Sequence, residues 1–417
     1  MKKHMLKLVG VIFLAALIEI MMTACPNGTT NGTSEPPVIL VPGTSLTEKL
    51  QWVKTNAASN TQYDITVNGT ESIGPQSLYY SGKNNVIIRI TGSFGGERLV
   101  SLTGNGSLFA IAPHVTLILD RNVTLEGHSV NYGHSLVQVS GGMLIMNDGA
   151  KITGNNAEGV YVHSNGSFIM NGGEISGNTR HGLFLEDGTV IINNGKISGN
   201  TDNTWTWSGG VLIWSGTLTM NNGEISGNTG RLGGGLCISS GTFTMNNGKI
   251  SGNTAEGGGV FLMDGTFTMN NGEISGNTAS NDHDCGGGVY VSNGTFTMSG
   301  GEISGNTASY SGGGVDVYRG SFTMNGGEIS GNIASGYYGY GGGVDIGEGT
   351  FYIINGTIYG SNEAMVSLRN IADIGAGLHI SSYVIAQCGR FSGSEWISLD
   401  NLTTTDDTIK VVNGVLQ

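Results

Sequence analysis

The stretch Gly265-Thr-Phe-Thr-Met-Asn-Asn-Gly-Glu-Ile-Ser-Gly-Asn-Thr278, followed after a variable segment by Gly286-Gly-Gly-Val-Tyr-Val291, decides how this chain folds. Versions of the same unit recur from Gly142 to Gly360, with the central isoleucine at 152, 175, 197, 225, 250, 274, 303, 329 and 358. Successive isoleucines are 22 to 29 residues apart, and the spacing changes only where the segment before the triple glycine changes length. Each unit holds three short segments of alternating polarity, written F-T-M, E-I-S and V-x-V. Strands this short, separated by Gly and Asn turns, cannot bury a face alone. Stacking one unit on the next solves the problem, because each strand then pairs with its equivalent about 4.8 Å away. Repeats of this period signal a solenoid. The expected fold is an all-β, right-handed parallel β-helix with three short parallel sheets. The hand follows from the crossover preference of parallel strands, and no apolar run of helical period fits between the glycines.

In-register stacking requires identical side chains to form columns. Phe168, Phe243, Phe267, Phe296, Phe322 and Phe351 are expected in one inner column, and Met170, Met220, Met245, Met269, Met298 and Met324 in another. The repeated Ile forms a third. Asn155, Asn178, Asn200, Asn228, Asn253, Asn277, Asn306 and Asn332 are expected to stack at one turn, amide on amide. The residue before each Ile points outward and runs Lys151, Glu174, Lys196, Glu224, Lys249, Glu273, then Glu302 and Glu328. Opposite charges on adjacent strands help and like charges hurt, so the alternating part of that column supports the register.

Composition fits this reading. The 417 residues include 73 Gly against 6 Pro, without a Gly-X-Y period, and 38% are hydrophobic, which excludes collagen and disorder. A net charge of -13 disfavours nucleic acid as a partner. Upstream of the clear repeats, Val86 to Ile90, Val115 to Leu119, Val123 to Leu125 and Leu136 to Val139 read as degenerate coils. Ser45-Leu-Thr-Glu48 opens a short amphipathic helix over 45–59, with Leu46, Leu50 and Val53 on one face, placed to cap the open first coil. The expected organisation is a leader over 1–25, a flexible linker over 26–44, the capping helix, β-helix repeats over 60–360, and irregular last coils with a cap over 361–417. Lys2, Lys3 and Lys7 precede an apolar run from Leu8 to Ile18, and Met22-Thr-Ala-Cys25 closes it, the pattern of a secretory leader ending in a lipidated cysteine. Cys237, Cys285 and Cys388 then remain, an odd set with no disulfide framework.

From about Asp64 to Gly360 the stacked-coil pattern resembles the pectate-lyase-like right-handed β-helix superfamily. The motifs Phe168 to Asn171, Phe243 to Asn246, Phe267 to Asn270 and Phe322 to Asn325 are similar to the F-x-x-N repeats of polymorphic outer membrane proteins. The second repeat motif departs, with Gly-Gly-Gly-Val in place of Gly-Gly-Ala. Those proteins usually end in a membrane barrel, for which no strands are evident here. A lipid on Cys25 would replace it, as in bacterial surface lipoproteins. The resemblance implies a cell-surface, adhesive role.

A functional site should break the repeat. One region that does so is the variable segment, with Arg180, His181, Trp205, Trp207, Arg231, Tyr310, Tyr337, Tyr338 and Tyr340. The other is the outward column of V-x-V, namely Tyr161, Phe184, Leu212, Cys237, Phe261, Tyr290, Asp316 and Asp345. An exposed aromatic row suits sugar stacking or protein anchoring, which singles out Trp205, Trp207, Phe261, Tyr290, Tyr310 and Tyr338. The leading expectation is a non-enzymatic, monomeric lipoprotein of the outer membrane that displays the β-helix at the cell surface to bind a host or matrix protein or a glycan. A second reading is a polysaccharide lyase or glycoside hydrolase using Asp316 and Asp345, whose carboxylates on adjacent coils would lie about 5 Å apart. A third is a passive surface protein. No cofactor or metal is expected, since Asp282-His283-Asp284 offers ligand types without a second cluster.

Overall fold

The expected stacking is realised turn by turn. The computed structural model describes residues 35–417 apart from 203, 205–206, 281–285, 337–338, 382–385, 393–394, 402–403 and 413–414. Among the described residues the coils form sheets of 15, 14 and 12 strands, here called A, B and C, in which each strand is joined in parallel to its equivalent one coil away except for the antiparallel strands that end A and B. The F-T-M segments make sheet A, E-I-S sheet B and V-x-V sheet C, with matched registers such as Phe243↔Phe267, Ile250↔Ile274 and Val260↔Val289. A fourth, four-stranded sheet, not foreseen from sequence, pairs Thr254–Ala255, Thr278–Ala279, Thr307–Ala308 and Ile333–Ala334. It exists because the residues after each stacked Asn are held extended and in line.

The inner columns are dry. The six predicted Phe are completely buried, and from Phe243 to Phe351 they stack with ring centroids 4.8 to 5.1 Å apart. Val190 and Leu218 fill the column between Phe168 and Phe243. The Met and Ile columns are likewise buried. Each such side chain gains roughly 1.5–3 kcal/mol from leaving water.

Asparagine holds the polar turn. Asn253 is fully buried; its backbone N–H and its Nδ2 both donate to Oδ1 of Asn277 at 3.0 Å, and Nδ2 also donates to the Ile225 carbonyl at 3.0 Å. The same arrangement repeats from Asn200 to Asn332 and runs beyond the predicted members, to Asn131 at one end and Asn370 at the other. This column explains the third glycine of each triplet. A Cβ on Gly259 would lie 2.6 Å from Cγ of Asn277, and one on Gly235 2.8 Å from Nδ2 of Asn253. A second, more exposed row from Asn147 to Asn270 passes amide bonds in the opposite direction along the axis, as in Asn246 Nδ2 to Asn221 Oδ1 at 2.8 Å.

Both ends are closed. Helix α1 (Leu46–Asn56) begins at Ser45 with the expected reciprocal Ser45–Glu48 cap and buries Leu46, Leu50 and Val53. Lys49 Nζ donates to the Thr66 carbonyl at 2.6 Å, fixing the helix on the first coils. Val38–Leu40, assigned to the linker on composition, is instead the first strand of sheet A and pairs with Thr61–Val67. It does so because Thr61–Val67 otherwise presents an open edge. At the other end Leu378–Ile380 and Ala386–Ser392 continue sheets C and A, and antiparallel Glu395–Asn401, Ile409–Val412 and Val415–Leu416 finish the stack.

The outward charge column pairs as its signs dictate in two places, Lys196–Glu224 at 3.3 Å and Lys249–Glu273 at 2.8 Å. Lys151 lies 3.8 Å from Glu97 of an earlier coil. Glu273, Glu302 and Glu328 then fall on three adjacent strands. Glu302→Lys restores alternation and is expected to raise the thermal midpoint by an amount equivalent to roughly 0.2–1 kcal/mol; the gain should vanish in 1 M salt. Asn277→Ala strands the amide donors of Asn253 and should cost about 1–3 kcal/mol. Faster hydrogen exchange across the Lys249–Ser251 and Glu273–Ser275 strands reads the effect, and Asn246→Ala in the exposed row should change exchange little.

Candidate functional site

The middle residue of each sheet C strand forms one continuous outward column, Tyr161↔Phe184↔Leu212↔Cys237↔Phe261↔Tyr290↔Asp316↔Asp345, ending on His379. Its expected exposure does not hold. Phe261 is 9% exposed and Tyr290 6%, and Leu212 and Cys237 are more deeply buried still. The cause is the length of the segment between the stacked Asn and the last glycine. That connection has three residues after Asn155 and after Asn178, nine after Asn200, five after Asn253 and ten after Asn277. The long connections fold back across the column: Leu232 packs on it, and Gly257 lies against the Phe261 ring. Burial pushes the Cys237 thiol well above its ordinary range.

The two short connections cannot reach, so Tyr161 and Phe184 stay half-buried and open a window in the cover. Here the residues stop repeating. The Tyr161 ring stacks on His163 at 4.5 Å and on Phe184 at 4.9 Å, nearly parallel in both cases. Its hydroxyl donates to Glu186, and burial together with that carboxylate raises the phenol above its usual range. Gln138, on the neighbouring strand, brings its Nε2 to 2.9 Å from His163 Nε2. Because Tyr161 is stacked on both neighbours, its faces are used within the stack.

Of the aromatics at this window, the one that presents itself to solvent is Trp214, 41% exposed, at the end of the next sheet C strand. Its backbone N–H donates to the Leu185 carbonyl at 2.7 Å, which places it beside Glu186. Trp207, from the long connection, sets its ring edge-on to Trp214 at 5.2 Å and packs underneath on the Leu212 cluster. Asp202 anchors that connection by accepting from the backbone N–H groups of Thr204 and Trp207, both at 2.9 Å. Burial raises the Asp202 carboxyl, but the Thr204 and Trp207 hydrogen bonds and nearby His181 outweigh it and hold it low.

Behind the window, buried Glu158 accepts from Arg180 Nη1 at 2.8 Å. His181, 1% exposed, turns its ring edge to Phe184 at 5.8 Å, and its Nδ1 meets the Ser208 carbonyl.

Of the predicted binding residues, Trp207 therefore lies at this window, whereas Phe261 and Tyr290 are in the covered column. Tyr310 is half-buried against Ala279 and Ala308, with its ring edge-on to Tyr340 at 5.9 Å. Trp205, Tyr338, the Asp282-His283-Asp284 triplet and Cys25 lie outside the described residues. Asp316 and Asp345 are register partners as expected, but they do not form an open pair. Asp316 is 4% exposed and accepts from Ser311 Oγ at 2.7 Å; Asp345 is 7% exposed and engages Nδ1 of His379. The glycine turns before these strands lie close over them: a Cβ on Gly312 would fall 2.4 Å from Cβ of Asp316, and one on Gly341 2.7 Å from the Asp345 nitrogen. Among the described residues no three or more His, Cys, Asp or Glu side chains are grouped to hold a metal. Sequence reasoning missed Trp214, His163, Glu186 and Gln138. Their signal was the shortest isoleucine spacings, 23 and 22 residues, which mark the two coils with no cover.

Residues 135–300 match the family described as right handed beta helix region. The chain is an all-β, right-handed parallel β-solenoid with very little helix. No curated protein and no solved structure gives a significant match. The right handed beta helix region includes the whole window, from Gln138 to Trp214.

His181 supplies a pH test of this arrangement. Burial lowers its affinity for a proton in the folded state relative to the ordinary 6.5. At higher pH it is neutral in both states. As pH falls below about 6.5 the unfolded chain takes up a proton that the folded chain refuses, so stability drops. His181→Gln should therefore lose less thermal stability than wild type between pH 7.5 and 5. Parallel melting curves for the two proteins would expose the difference.

Proposed function

We propose that this protein is a non-enzymatic, exported lipoprotein that presents its β-helix at the cell surface and binds a glycan at the Trp214 window. The observation that carries the reading is Trp214 itself. A large indole is left 41% exposed, propped by Trp207 and fixed at a strand end, at a position that varies from coil to coil and carries His163, Glu186 and then Trp214 on three successive coils. A rigid aromatic surface edged by polar groups is what sugar rings stack on. Glu186 and the Gln138–His163 pair supply hydroxyl-binding groups along the same strands. With a net charge of -13, neutral or amino sugars are favoured over acidic ones.

Export and anchoring rest on the basic start, the apolar run and Cys25. Binding is favoured over cleavage because Asp316 and Asp345, the acid pair suggested by sequence, are covered and each is engaged by another side chain. A passive role gives no reason for Trp214.

Trp214→Ala and Glu186→Gln are expected to reduce binding on a glycan array at least tenfold while leaving the melting temperature within a few degrees of wild type. Binding that survives Trp214→Ala would reject the window as the site. Radiolabelled palmitate incorporated by wild type and lost in Cys25→Ala is the expected sign of the anchor, and protease shaving of intact cells should release the β-helix.

A further inference from the structure

The outer face of sheet A carries a pattern that glycan binding at Trp214 does not use. On successive strands the outward residues are Thr217 and Thr219, Thr242 and Thr244, Thr266 and Thr268, Thr295 and Thr297, then Ser321 and Thr323. These are two straight columns of hydroxyl-bearing side chains across five coils, with no charged residue among them. Thr217, Thr242, Thr266 and Thr295 are exposed, and the threonines two residues on, in the second column, are half-buried. The array is bounded. Upstream, the corresponding pairs are mixed, as in Thr189 with Ile191, and downstream Tyr352 replaces the threonine next to Thr323.

Threonine is common on strands for its backbone preference alone. That preference applies equally to sheets B and C, but the outward column of C varies, and B sets a serine column beside a column of Lys and Glu. On sheet A the run is uniform, neutral and doubled.

The backing makes the array rigid. Leu218, Phe243, Phe267, Phe296 and Phe322 lie directly beneath, all fully buried, the phenylalanines stacked 4.8 to 5.0 Å apart. Matched register spaces the hydroxyls about 4.8 Å along the axis, and alternate residues on a strand lie about 6.6 Å apart. The oxygen rows on a prism face of hexagonal ice repeat on similar lengths in two perpendicular directions. Each threonine offers a hydroxyl to bond into such a row and a methyl that favours caged water beside it.

We propose that this face binds crystalline water, anchoring the protein to ice. Other occupants fit less well. Nucleic acid and anionic lipid need cations, a second copy would gain little from meeting hydroxyl with hydroxyl, and crystalline polysaccharide is best held by aromatic rings, of which this array has none.

Purified protein labelled with a fluorophore is expected to concentrate in a growing ice hemisphere, shape ice crystals and suppress recrystallisation at micromolar concentration. Thr268→Tyr, in the middle coil, should reduce these effects at least tenfold. The substitution is tolerable because Tyr352 occupies the equivalent outward position. Thr116→Tyr, on the same face but outside the array, should leave them unchanged, as should Trp214→Ala, which separates this face from the glycan window. Circular dichroism and melting of each variant confirm that the coils are intact. Exclusion of the wild-type protein from ice would overturn the proposal. So would a folded Thr268→Tyr variant as active as wild type, or retention on crystalline cellulose or chitin that Thr268→Tyr abolishes in a protein inactive on ice.

Discussion

From Asn200 to Asn332 each buried asparagine amide finds acceptors on the coils to either side, and much of the architecture follows from that constraint. Asn253 has two side-chain N–H groups; one goes to Oδ1 of Asn277 and the other to the carbonyl of Ile225. A buried amide without such partners is expensive. The chain can therefore bury the turn only if its neighbours place an asparagine at the same height. The third glycine of the triplet is tied to the same requirement, because the amide occupies the space a Cβ would fill. Two motifs that look independent in sequence are thus one contact, and both recur because the contact does.

That dependence is why the fold was legible. Phe, Met, Ile and Asn recur at fixed offsets within the unit, and their burial follows from register alone. Helix α1 was equally readable, since Ser45 and Glu48 satisfy each other's donors locally. The fourth sheet was missed because Thr254–Ala255 is only two residues long and carries no alternation of its own. The first strand, Val38–Leu40, was missed because it is extended by pairing and not by any internal pattern.

The site was less legible. Alternation shows that Phe261 and Tyr290 point away from the core, but not that another segment comes back to cover them. Whether a side chain faces water here depends on the length of a connection that lies earlier in the coil. Three residues between Asn178 and Gly182 leave Phe184 half-open; five between Asn253 and Gly259 are enough to bury Phe261. The spacing of the isoleucines contained this information, since it measures the same lengths. Asp316 and Asp345 are covered by the glycine turns before their strands, with Ser311 and His379 as the local partners that make two adjacent carboxylates tolerable.

The matched register also bears on how such a chain changes over time. The coil from Thr242 presents to its neighbours nearly the same surfaces as the coil from Thr266, strand for strand and amide for amide. In an array where each repeat touches only those beside it, removing or duplicating one leaves a seam like any other. The near-identical coding segments such repeats imply are prone to unequal recombination, so the height of the stack can drift by whole coils. The window at Trp214 and the ends, each built from unique residues, would keep their form while the distance between them varies.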